Sequence, residues 1–114
     1  MDIQLILKGL FAVITVGLGV GAMIKPLAIR SFTGLEVSGP RGVTEIRAVL
    51  GGAFIGLGAA QLVLNDPVAY QMLGIVYLVI GVVRLIGMIV DKSIVSSNIV
   101  SAGYEALAGF ILIL

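Results

Sequence analysis

Four apolar runs of roughly twenty residues dominate this chain. They extend from about Gln4 to Ile24, Thr44 to Leu64, Val68 to Val90 and Ile94 to Leu114. A bilayer-crossing helix needs about 20 mostly apolar residues, and each run meets that length. The second, third and fourth are separated only by "NDP" and "DKS", which leave room for a turn and nothing more. Spans two to four must therefore fold back on one another as consecutive hairpins. The expected fold class is all-α, an integral membrane antiparallel four-helix bundle, formed as one domain over residues 1–114.

Composition supports the membrane reading. Charged residues make up 11% of the chain and hydrophobic residues 60%, with a mean hydropathy of +1.23. A soluble domain carries about 25% charged residues, so this chain lacks the charge to cover a water-facing surface. The net charge is +1 and no tract is strongly basic or acidic, so nucleic acid is not an expected partner. The absence of cysteine excludes disulfides, thiol redox chemistry and thiolate metal sites. The absence of histidine removes the commonest transition-metal ligand and the usual proton carrier near neutral pH. No cofactor or metal set is implied.

The first run carries Asp2 near its start and Lys8 inside the apolar stretch. A secretory signal instead has a basic region ahead of its apolar core, so the run reads as a retained span. The remaining connection, residues 25–43, is long and holds Pro26 and Pro40. Its middle, "LAIRSF", is weakly amphipathic, and part of the loop is expected to lie along the membrane surface as a short interfacial helix. Lys25, Arg30, Arg41, Arg47 and Lys92 fall on one side of the expected bundle, with Arg84 near it. Lys8 and the "NDP" loop fall on the other. The positive-inside rule then places loop 25–43 in the cytoplasm and both termini outside.

On a helical wheel at about 100° per residue, each span offers a stripe of small residues carrying one ionisable group. The first stripe is Lys8, Ala12, Thr15, Gly19 and Ala22; the second is Glu45, Ala48, Gly52, Gly56 and Ala59. The third is Gly74, Tyr77, Gly81, Arg84 and Met88; the fourth is Asn98, Ser101, Ala102, Glu105 and Gly109. Gly19, Gly52, Gly56, Gly74, Gly81 and Gly109 are thus expected to be helix-packing positions, since small residues let helix backbones approach. Thr44 is the expected cap of the second span and Ser93 of the fourth.

A charge at the bilayer centre costs at least ~2.5 kcal/mol, so these groups should face inward and find partners. At ~1.5 Å rise per residue, Glu105 lies ~16 Å into its span and Arg84 ~9 Å from the same side. Arg84 and Lys8 are each long enough to reach toward Glu105, and Glu45 is placed to hold Arg84 from below. The candidate intramembrane polar cluster is Lys8, Glu45, Tyr77, Arg84, Asn98, Ser101 and Glu105. Three readings stay open. The charges are structural ion pairs fixing helix register; they form a ligand or ion site built on Glu105 and Arg84; or Lys8 and Glu45 snorkel to the interface.

The segment "GLEVSGPRGVTEIRAVLGGAFIGLGA", the arginine in "VVRLIGM" and a glutamate in the last span resemble a bacterial family of four-span membrane proteins of unknown function in the DoxX-like group. The matching pattern is Glu45, Arg47, Gly51 and Gly52, with Arg84. The resemblance covers most of the chain. It implies a four-helix membrane bundle in the bacterial inner (plasma) membrane and no settled activity. Some DoxX-like relatives are linked to quinone-dependent sulfur oxidation or redox-protein maturation, and chemistry that depends on cysteine cannot carry over.

No nucleophile–base pair, metal set or phosphate loop is visible, so an enzyme is not expected. The leading functional expectation is an accessory or assembly subunit that packs against a larger membrane complex, with a membrane protein or another copy as partner. The alternative is a binder or carrier of a small hydrophobic or anionic ligand at Glu105 and Arg84. A small proton-coupled exporter ranks lower. That family has its essential glutamate in the first span and a Trp-rich pocket, whereas this chain has Lys8 there and no Trp.

Overall fold

The computed structural model describes residues 2–114, and all regular structure among them is helical. Helix α1 is Ile3–Ile24. A 3-10 turn, Pro26–Ala28, leads into the short α2, Ile29–Thr33. Helix α3, Pro40–Leu64, α4, Pro67–Val90, and α5, Ser96–Ile113, follow. Together with α1, these three are long and apolar enough to cross a membrane. Contacts divide the chain into two compact units: Gly9–Leu64, and Asn65–Leu114 with the residues through Lys8.

The first unit is held by glycine contacts between α1 and α3. A Cβ added at Gly19 would sit 2.6 Å from the Gly51 carbonyl oxygen and 2.7 Å from the Ile55 nitrogen. One added at Gly58 would sit 2.6 Å from the Ala12 carbonyl oxygen. Backbone meets backbone here, and only glycine allows it. Phe11, Ala12, Thr15, Gly19 and Ala22 of α1 are buried, and Thr15 satisfies its hydroxyl by donating to the Phe11 carbonyl at 2.7 Å. Arg47 closes the end of α1 by donating to the Met23 carbonyl at 2.8 Å. That carbonyl is among the last four of its helix and has no intrahelical partner.

Three expectations about this unit are corrected. The second span begins at Pro40 rather than near Thr44; Gly39, at φ 139°, precedes a proline in the first helical turn. Proline is suited there because its missing N–H needs no partner. Gly52 and Gly56 make no close approach to α1 within this unit. Both are exposed, with nothing within 4 Å of an added Cβ, while Gly51 and Gly58 make the close approaches. Glu45 is also exposed rather than directed inward. Two glycine faces lie about one residue apart on α3, and residues Ile46–Gly52 are π-helical, so a uniform 100° wheel selected the wrong one.

In the second unit α4 and α5 form a hairpin. Asp66 caps α4, its carboxylate accepting from the Val68 N–H at 2.8 Å, with Pro67 in the first turn. Asn65, at φ 46°, takes the left-handed conformation that asparagine tolerates. Gly74 faces the Gly109 carbonyl, 2.9 Å from an added Cβ, and Gly109 abuts Leu78 and Gly74. Tyr70, Leu73, Tyr77 and Met88 of α4 are buried, as are Glu105, Ala108 and Leu112 of α5. Helix α5 starts at Ser96 after Val95, so Ser93 is not its cap. Ser93 instead holds Asn98, whose amide donates to the Ser93 carbonyl at 2.9 Å.

Candidate functional site

The polar residues of the α4–α5 hairpin converge on Arg84. Its Nε donates to Glu105 Oε1 and its Nη2 to Glu105 Oε2, both at 2.8 Å. Nη1 donates to Asn98 Oδ1 at 3.0 Å. The bidentate geometry matches the guanidinium fork to the carboxylate and fixes both side chains in one plane. Asn98 is held in turn by Ser93, so a chain of hydrogen bonds runs from the α4–α5 connection to the Glu105 carboxylate. Formal charges within the pair cancel, as an apolar surround demands.

The surrounding sequence builds this arrangement. Arg84 and Gly81 lie three residues apart on α4, hence on one face. An added Cβ at Gly81 would stand 3.5 Å from Glu105 Cβ, so the glycine gives Glu105 its place against α4. Arg84 is six residues from the end of α4, about 9 Å of helix, and its long side chain spans the distance between the Glu105 carboxylate and Asn98. The Glu105 side chain is 8% exposed and that of Arg84 31%. Arg84, Asn98, Ser93 and Asp91 also line an open groove of about 490 Å³ whose apolar wall includes Val79 and Val83. The three bonds to Glu105 and Asn98 leave two of the five guanidinium N–H groups without a partner in these helices.

About two helical turns from Arg84 along α4, Tyr77 meets Tyr104 of α5: their hydroxyls are 3.1 Å apart, and their rings meet edge to face with centroids 5.4 Å apart. Edge-to-face contact is a preferred aromatic geometry.

Of the seven residues expected to form the cluster, Arg84, Asn98 and Glu105 are joined directly. Tyr77 is buried and bonded to Tyr104, which the sequence reading missed, as it missed the Ser93 carbonyl. Ser101 is half-buried on α5. Lys8 is buried on α1 and has no ion pair among the described residues. Glu45 is paired with Arg41 one helical turn away, both exposed, and does not hold Arg84. The reason is local: with the helix starting at Pro40, Arg41 and Glu45 occupy i and i+4 positions of the first turns. Sequence reasoning also missed Gln61. It is fully buried at 0% exposure, its amide donates to the Leu57 carbonyl at 3.1 Å, and its Oε1 has no hydrogen-bond partner.

Comparisons with protein-family models, with curated proteins and with solved structures returned no match.

Proposed function

We propose that this chain is a multi-pass membrane subunit without a catalytic site, serving as an accessory or assembly component beside a larger membrane protein. One observation carries the reading: Ala48, Gly52, Gly56 and Ala60 recur every four residues along α3, and the first three are exposed. Gly52 and Gly56 have nothing near an added Cβ, whereas Gly19, Gly51, Gly58, Gly74 and Gly109 are all used in contacts inside the chain. A small-residue face left open toward lipid is suited to close approach by a helix of another protein. In this reading the two helix pairs assemble as an antiparallel four-helix bundle in a bacterial inner membrane, as a member of the DoxX-like group. The long connection lies in the cytoplasm and both termini outside.

Mild extraction followed by native mass spectrometry tests the proposal. Wild type should carry a stoichiometric protein partner that Gly56→Leu loses and Gly17→Leu keeps. Gly17 is equally open but lies on α1, so it controls for added bulk. A wild type that emerges without any partner, or a partner retained by Gly56→Leu, refutes it.

A second reading is favoured by the two spare N–H groups of Arg84 facing the groove beside Asn98 and Ser93. Here the protein binds or carries a small hydrophobic or anionic molecule at Arg84 and Glu105. The same spectra distinguish it: a small ligand would be retained by wild type and lost from Arg84→Ala and Glu105→Gln.

A further inference from the structure

Two of the four basic residues in this region, Lys25 and Arg30, differ from the other two. Arg41 is engaged by Glu45, and Arg47 by the Met23 carbonyl. Lys25 and Arg30 are exposed and make no ion pair among the described residues. Glu36 is the one acid in the same connection, so residues 25–39 keep a net positive charge.

Lys25 also lines an open, shallow groove of about 490 Å³, wholly within the Gly9–Leu64 unit, and follows the last residue of α1 there. The floor is Gly17 and Gly21, one helical turn apart on α1; Leu18 forms part of the wall, and Ala28 and Ile29 close the end. Neither glycine has an atom within 4 Å of an added Cβ, so the furrow is open along the helix.

The connecting segment suits the boundary between headgroups and acyl chains. Leu27, Phe32 and Leu35 are exposed. The Ser31 and Thr33 hydroxyls are turned back onto the Ala28 and Ile29 carbonyls, at 2.9 and 2.8 Å. Hydroxyls satisfied by their own helix do not require water, and the basic Lys25 and Arg30 in the same segment are exposed.

We infer that this groove is a binding site for an anionic phospholipid, with an acyl chain along Gly17 and Gly21 and the phosphate held by Lys25. Arg30, in α2, does not line the groove. Charge complementarity selects the occupant: an apolar furrow ending in an unpaired cation fits a chain ending in an anion. A furrow meant for a helix of a second copy would have no use for an unpaired lysine lining it. The inference is independent of whether the α3 face takes a protein partner.

The chain contains no Trp, so Leu18→Trp provides a single reporter on the groove wall. The full-length variant would be reconstituted in vesicles of phosphatidylcholine and phosphatidylglycerol, with bromine on the acyl chains of one lipid at a time. Brominated phosphatidylglycerol should quench more strongly at equal mole fraction, with a relative association constant about five-fold higher, as expected for one interfacial cation. Adding Lys25→Gln should bring the two lipids to equality, and Lys25→Arg should retain the preference. Gly21→Leu, which has space for its side chain, should remove the preference by filling the furrow. Equal quenching by both lipids, or a preference that survives Lys25→Gln, overturns the inference. A reporter quenched by neither lipid also overturns it, since protein would then occupy the groove.

Discussion

The Arg84–Glu105 pair gives a quantitative test of what holds the α4–α5 hairpin. Two 2.8 Å bonds join the side chains, and a third ties Arg84 to Asn98. Removing one partner of a buried pair typically costs ~3–5 kcal/mol, because the other charge is left uncompensated. The two single substitutions should not be equal. Arg84→Met strands a carboxylate whose side chain is 8% exposed, placing it at the upper end of that range. Glu105→Leu strands a guanidinium that is 31% exposed, still bonded to Asn98 and able to lean toward the interface. Its cost should fall at or below ~3 kcal/mol. Replacing both with apolar residues removes the attraction and the desolvation penalty together, so the double variant should lie within ~1 kcal/mol of wild type. Reversible unfolding in mixed micelles of increasing SDS fraction, followed by far-ultraviolet circular dichroism, measures all four corners of the cycle. A double variant as unstable as the sum of the singles would refute the argument, since the two groups would then be acting independently.

Other substitutions test separate parts of the structure. Gly58→Ala should destabilise by ~1–3 kcal/mol, because its Cβ would meet the Ala12 carbonyl oxygen and the Val16 nitrogen. Gly17→Ala, with open space around it, should be neutral or stabilise by up to ~1 kcal/mol from helix propensity, and the same unfolding assay compares the two. Gln61→Leu should be neutral or stabilising, since it removes a buried acceptor without a partner; marked destabilisation would mean that Oε1 is satisfied in the membrane. The cysteine-free chain allows single-cysteine topology mapping. Ser38→Cys should react with an impermeant maleimide only from the cytoplasmic side and Asn65→Cys only from the opposite side.

Which parts of this architecture can be read from sequence depends on how much each residue type discriminates. Span number followed from length and hydropathy, because twenty apolar residues interrupted by "NDP" and "DKS" have few alternatives. Arg84 and Glu105 were legible as partners because an isolated charge in an apolar span is costly, so charges at matching depths must meet. Glu45 misled because it lies in the first turns of α3, exposed, where Arg41 four residues earlier satisfies it. The packing face of α3 misled for another reason. In a soluble helix polarity marks the outside, but here the outer face is apolar too, and both faces contain glycine. The usable signal was Gln61, nine residues or about two and a half turns from Gly52 and therefore on the opposite side of the helix. A fully buried amide opposite an assigned packing face is evidence against that assignment. Tyr104 was harder to find, because edge-to-face contact with Tyr77 depends on the relative placement of two helices rather than on either helix alone.

The π-helical stretch in α3 links its inward and outward faces. Ile46 and Gly51 are both buried, although residues five apart in an α-helix point about 140° away from each other. The i→i+5 bonding of residues Ile46–Gly52 puts more residues into each turn and brings the two toward a common side. Gly51 can then lie against Met23 and Gly19, while Ile46 is covered as well. Gly52, next in sequence, points outward together with Gly56. The adjacent glycines thus differ: Gly51 brings α1 close, and Gly52 has open space around it. An α-helical α3 with Gly51 and Gly58 on α1 would turn Ile46 about 140° away from Gly51 and expose it. Local π geometry therefore lets Ile46 and Gly51 share the buried side of α3, while Ala48, Gly52 and Gly56 remain exposed.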